Sequence, residues 1–280
     1  MKVKYFTLLL AGLFVIALTS PGMTGEFKIG IMQAKAGDAK KYKPLLDYFK
    51  AKGIDVALKG YSNYPDAAIK FEKGDVDGMF AGSGVAASMM IKEVAYPLIR
   101  PVHQGGWSTY WAVIIAPKGS QEFTGDKDFF DGKTITCSSL ASSGEFFARS
   151  ILGAKRDLLK AGSHGIALSV LERGTADVAI VKNRVWDAER AKYPDLEEVG
   201  KDTGENPDNT LIISYKTDKD AVEKVKTALL ELGKNNSPEA EAVKKAMQIT
   251  SFIPTTETDF SHTLALVKKA GVTKDFNFTY

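Results

Sequence analysis

The run with the most chemical potential is Thr136-Cys137-Ser138-Ser139-Leu140-Ala141-Ser142-Ser143-Gly144, which feeds straight into an apolar helical pattern beginning at Glu145. A strand that delivers a hydroxyl-rich turn to a helix start presents free backbone N–H groups, hydroxyl donors and the positive end of the helix dipole together. That combination suits a small tetrahedral anion and needs no lysine, unlike a phosphate-binding P-loop. The same residues would also serve as a helix cap on a loop. His164, in Gly162-Ser163-His164-Gly165, stands at the start of another predicted helix. There it either caps the helix at the surface or faces a cleft and donates to an oxyanion. Asp177 leads a buried strand, where it either satisfies a neighbouring turn or accepts a proton from a hydroxyl-bearing ligand. Tyr64, Tyr110 and Trp111 are either core aromatics or cleft walls, a phenol donating one hydrogen bond while its ring excludes water.

Catalytic constellations are poorly represented. Ala81 precedes Gly82-Ser83-Gly84, so Ser83 does not sit in a G-x-S-x-G nucleophile elbow. The three histidines of the chain form no H-x-x-x-H pair for a metal. A serine at a helix start without an evident base is a donor rather than an activated nucleophile. No enzyme, cofactor or metal is expected, and a secreted hydrolase stays only as a distant alternative. The single cysteine, Cys137, excludes intrachain disulfides and CxxC sites. It is either a small buried hydrophobe or a thiolate for a soft ligand such as arsenite.

These residues must be positioned by a scaffold, and the chain alternates strands with helices. Phe27–Met32 reads as a buried strand, followed by a helix with Pro44 in its first turn and Leu45, Leu46 and Phe49 on one face. Asn63 is placed to cap the next helix, which Gly74 ends. Alternation of this kind predicts parallel βαβ units and an α/β fold. The run Phe71-Glu72-Lys73-Gly74-Asp75-Val76-Asp77 returns as Leu171-Glu172-Arg173-Gly174-Thr175-Ala176-Asp177, each followed by an apolar strand. The repeat predicts two related lobes: 26–113 plus 209–280, and 114–208. Along the chain the second is entered after the Tyr110–Ala116 strand, at the Pro117-Lys118-Gly119-Ser120 turn, and the return crossing lies in the turn-rich Gly204-Glu205-Asn206-Pro207-Asp208-Asn209 run. Two crossings make a hinge, and a cleft between hinged lobes is where a small ligand binds.

Residues 1–25 read as an export signal: Lys2 and Lys4, then an apolar stretch from Tyr5 to Leu18, then small residues. The stretch is shorter than the roughly 20 residues needed to span a bilayer. The 37 basic and 34 acidic residues nearly balance, and most of the excess lies in that signal. Nucleic acid is therefore not an expected partner. Anion affinity would have to come from local dipoles and hydroxyls.

The Gly106-to-Ile115 run with Tyr110-Trp111, the Ser142-Ser143-Gly144 helix start, the Gly162-Ser163-His164 turn and the Gly174-x-x-Asp177-Val178-Ala179 strand together resemble the phosphonate-binding periplasmic proteins. These form the phosphate, phosphite and phosphonate branch of the solute receptors of ABC transporters. The resemblance implies a two-lobed type II periplasmic binding fold, a periplasmic location and delivery of a small oxyanion to an inner-membrane ABC permease. A monomer is expected, and a relay to a membrane sensor kinase is the alternative use of the same pocket. Carried over by position, the ligand residues implied are Ser142, Ser143, His164, Asp177, Tyr64 and Tyr110. Ser83, Gly144 and Cys137 complete the candidate set. Ala141 stands where the family's first motif serine is expected.

Overall fold

The computed structural model describes residues 25–32, 38–138 and 142–278. The expected export signal up to residue 24, and 139–141 of the serine-rich loop, lie outside the described residues. No helix among the described residues is long and apolar enough to cross a membrane.

The first lobe opens with β1 (Phe27–Met32), α1 (Lys43–Ala51), β2 (Val56–Tyr61), α2 (Tyr64–Glu72), β3 (Gly78–Ala81), α3 (Ser83–Ile91) and β4 (Ala95–His103). The chain crosses in β5 (Thr109–Tyr110). The second lobe holds β6 (Ala112–Pro117), β7 (Ile135–Ser138), α4 (Ser143–Leu152), β8 (Leu159–Ala161), α5 (His164–Glu172), β9 (Val178–Lys182), α6 (Asn183–Glu189) and β10 (Leu196–Lys201). It returns in β11 (Asn206–Pro207) and completes the first lobe with β12 (Thr210–Ser214), α7 (Lys219–Glu231), α8 (Pro238–Met247), β13 (Ile249–Pro254) and α9 (Ser261–Lys269). The first sheet runs β13-β4-β12-β3-β1-β2 and the second β10-β6-β9-β7-β8. This is the two-lobed α/β architecture of periplasmic binding proteins.

The repeated sequence becomes repeated geometry. Asn63 caps α2 by accepting from Asp66 N at 2.8 Å, and Ser163 caps α5 by accepting from Ile166 N at 3.2 Å. Ala67, Ala68 and Phe71 bury one face of α2; Ala167, Leu168 and Leu171 do so for α5. Both helices stop at a glycine in the left-handed region, Gly74 at φ +81° and Gly174 at φ +70°. Asp77 then accepts from Lys28 N and Asp177 from Thr134 N, each at 2.8 Å, tying β3 to β1 and β9 to β7 at their amino ends.

The two crossings pair as a short antiparallel ribbon, Asn206 opposite Tyr110 and Pro207 opposite Thr109. The Tyr110–Ala116 strand expected from the sequence is divided at Trp111, whose backbone N–H donates to Asn183 Oδ1 at 3.2 Å instead of continuing the ladder. The expected boundary at 113/114 falls inside β6, which belongs wholly to the second sheet because Ala112–Ile115 ladder onto β9. Helix α9 packs on α3 of one lobe and α4 of the other. One apolar cluster accordingly runs from Met79 and Ile212 through Val267 to Phe146 and Ile180.

Candidate functional site

Four helices begin at the cleft: α2 with Tyr64, α3 with Ser83, α4 with Ser143 and α5 with His164 as their first residues. In open α/β sheets ligands sit beyond the carboxyl ends of the parallel strands, where such helix starts gather. Tyr110, on the outgoing crossing, lies at their centre. Its hydroxyl is hydrogen-bonded to Ser83 Oγ of the first lobe and engages Ser143 of the second. Burial pushes the Tyr110 phenol up to about 12, and the two serines only partly offset this. Burial likewise pushes Tyr64 up to about 12, so both phenols stay protonated donors at neutral pH.

A cation completes the cluster. Lys182, the last residue of β9, bonds to Asp208 Oδ1 on the return crossing, and its ammonium lies 4.0 Å over the Tyr110 ring. His103 Nε2 lies 3.1 Å from Asp208 Oδ2. Burial would raise the Asp208 carboxyl, but Lys182 and His103 outweigh it and hold the group below the usual carboxylate range. Desolvation, and then Lys182, push His164 down to about 3, so its imidazole is neutral. Among the described residues, His164 Nδ1, Thr210 Oγ1 at the start of β12, and Asn183 Nδ2 are buried without a hydrogen-bond partner in the protein. Converging hydroxyls, a neutral imidazole, an ammonium and unspent polar atoms can surround an oxyanion without a permanent excess of positive charge.

The fold thus brings together Tyr64, Ser83, Tyr110, Ser143 and His164. Other expected residues do different work. The Ser142 hydroxyl donates to Ser138 O at 2.9 Å and accepts from Glu145 N at 3.2 Å, so it is spent on capping α4. A Cβ on Gly144 would stand 2.5 Å from Ile180 O, so this glycine allows α4 to approach β9. Asp177 is corrected: it is exposed at the amino end of β9, roughly 16 Å from Lys182 at about 3.3 Å per strand residue. Its carboxylate is bound to the Thr134 backbone, as Asp77 is to Lys28. Cys137 is also corrected. It is fully buried in β7, and burial pushes its thiol up to about 12, so it offers no thiolate to a ligand.

Lys182, Asp208 and His103 went unrecognised in the sequence. The available signal was a lysine closing the otherwise apolar strand Val178-Ala179-Ile180-Val181-Lys182. Arg184 supplies charge here, its guanidinium lying 4.4 Å over Trp107 and 5.6 Å over Trp111.

A structure of XAC2383 from Xanthomonas citri bound to ATP superposes with a TM-score of 0.73 at 19% identity, covering 88% of this chain and 98% of that one. PhnD1 from Prochlorococcus marinus (MIT 9301), in complex with methylphosphonate, gives 0.68 at 14% identity, covering 88% and 98%. A binding-protein component of an ABC phosphonate transporter, PA3383 from Pseudomonas aeruginosa, gives 0.68 at 16% identity, covering 88% and 86%. No curated protein matches by sequence. Residues 32–260 match the family model described as ABC transporter, phosphonate, periplasmic substrate-binding protein. With most of its length matched and both lobes in place, the chain belongs to the family of periplasmic substrate-binding proteins of phosphonate ABC transporters.

Proposed function

We propose that the protein is exported and, as a monomer, captures a small phosphorus oxyanion of the phosphonate, phosphite or phosphate class for delivery to an inner-membrane ABC permease. The observation that carries this reading is the Tyr110 hydroxyl, which joins a serine from each lobe at the meeting point of four helix starts. A tetrahedral head group entering there takes donors from both lobes at once, so it binds the closed state better than the open one. Lys182 shifts from Asp208 toward the ligand, and Asp208 accepts from a P–OH group, the part expected of Asp177. Charge is neutralised locally, in keeping with the near balance of basic and acidic residues.

The test is a thermal-shift panel of phosphate, phosphite, methylphosphonate, 2-aminoethylphosphonate, sulfate and arsenite. A ligand at a hundred times its Kd contributes about 2.7 kcal/mol, which moves Tm by several degrees. One phosphorus oxyanion should raise Tm well above sulfate and arsenite, and Ser143→Ala with His164→Ala should abolish the gain in a folded protein. Stabilisation that survives in the double variant would show that the ligand binds elsewhere.

A further inference from the structure

Beside the head-group cluster the chain presents three successive polar side chains, Lys182, Asn183 and Arg184. Asn183 is 2% exposed and fixed at both ends of its backbone contact with Trp111: its N–H donates to Trp111 O at 3.0 Å, and its Oδ1 accepts from Trp111 N at 3.2 Å. That fixes the amide orientation and leaves Nδ2 buried with no protein partner. Arg184 Nε is buried and unpartnered as well. Stranding two donors, one of them cationic, incurs the desolvation penalty of each unless an acceptor arrives.

The wall opposite is built rather than incidental. Trp107 stacks on His103 with ring centroids 3.8 Å apart and planes 15° from parallel. The backbone returns the same way, His103 N donating to Trp107 O at 2.8 Å and Gly106 N to His103 O at 2.9 Å. Gly105 and Gly106 take φ of +101° and +83°, which permits this turn. Trp107, from the first-lobe side, and Trp111, on the crossing, therefore hold the Arg184 guanidinium between lobes. The Lys201 ammonium lies 6.0 Å over Trp111. The Asp208 carboxylate on the return crossing is shared by Lys182 and His103.

We infer that Asn183 Nδ2 and Arg184 Nε, under the Trp107 and Trp111 indoles, form a second subsite for the organic substituent of the ligand. That substituent carries its own acceptor, a carboxylate or a second phosphoryl group. The inference rests on the phosphonate reading of the adjacent cluster and narrows it to phosphonocarboxylate-like ligands. A carboxylate meets a fixed amide donor and a guanidinium, with charge-assisted hydrogen bonds available. An ammonium substituent would meet donors and cations only.

Isothermal titration of the full mature chain with phosphonoacetate, methylphosphonate and 2-aminoethylphosphonate tests this. The wild type should bind phosphonoacetate at least about tenfold more tightly than either of the others, as expected for one added charge-assisted contact. In Arg184→Gln the ratio of the phosphonoacetate and methylphosphonate constants should fall below about threefold. Asn183→Asp, which keeps the acceptor for Trp111 and replaces the free donor, should move the preference toward 2-aminoethylphosphonate. If Arg184→Gln fails to fold, Asn183→Asp decides alone. Methylphosphonate binding as tightly as phosphonoacetate, or a ratio unmoved by either substitution, overturns the subsite while leaving the phosphonate reading intact. If none of the three binds, the phosphonate reading falls and the subsite falls with it.

Discussion

Lys182, at the carboxyl end of β9, gives its ammonium to the Asp208 carboxylate on the return crossing, so a second-lobe cation is held by the segment that connects the lobes. Asp208 is 8% exposed and Lys182 21%, which makes the pair costly to break from one side. Lys182→Met should lower stability by about 3 kcal/mol in urea denaturation, because the carboxylate is left without its counter-charge. Adding Asp208→Asn should recover much of that stability without restoring anion binding. Full recovery of binding in the double variant would mean that Lys182 serves the hinge and not the ligand.

His164 gives the protein a pH dependence of definite sign. Its folded-state value is depressed to about 3 from an ordinary 6.5, so the unfolded chain takes up a proton that the folded chain refuses. Stability is unaffected above about pH 6.5 and is lost as pH falls from there toward 3, at up to about 1.4 kcal/mol per pH unit. His164→Asn should flatten the stability profile across that window. A slope equal to that of the wild type would place the titration on other groups.

His262 acts in the opposite sense. Its Nε2 lies 2.9 Å from Asp202 Oδ2, and this hydrogen bond raises its pKa despite partial desolvation. The stability it adds is complete below its ordinary 6.5 and is lost as pH rises through the raised folded value. The Tm difference between wild type and His262→Gln should therefore be larger at pH 6 than at pH 9. An equal difference at both would reduce His262 to packing against Gly204.

Gly144→Ala should be among the most damaging single-methyl additions in the molecule. The new Cβ would meet the Ile180 carbonyl, which belongs to the central strand of the second sheet and cannot swing away. A loss of about 3 kcal/mol is expected, read from the urea midpoint at unchanged slope.

Cys137 should resist thiol reagents in the folded state and react fully once denatured, given its burial and raised pKa. Cys137→Ser should leave every ligand response intact while lowering Tm. An arsenite response lost specifically in that variant would reinstate sulfur in the site.

Much of this was legible from pattern. Alternating strands and helices, Asn63 as a cap, and Gly74 and Gly174 as stops are local rules, and the folded lobes obey them. Asp177 shows where pattern misleads. The strand it leads does reach the cleft, but periodicity cannot say which end faces the ligand. That depends on the direction of the parallel strands, and the carboxyl end carries Lys182. The echo of Asp77 by Asp177 held the answer, since a residue repeated in both lobes at the same backbone position is serving the repeat. Asp208 and His103 were hidden for another reason: they meet Lys182 only because three separate stretches of chain converge at the crossing.

Helix α9 lies against α3 and α4, so parting the lobes means prising this helix from one of them and wetting side chains such as Val267 and Phe146. Part of the work of shutting the cleft would thus fall to apolar packing away from the head-group cluster. Measured affinity is the intrinsic affinity scaled by the fraction of unliganded molecules already shut, and packing of α9 made only in the shut form would raise that fraction. Selection could retune this receptor to scarcer or more abundant solute by altering one distant helix, leaving its chemical discrimination as it was.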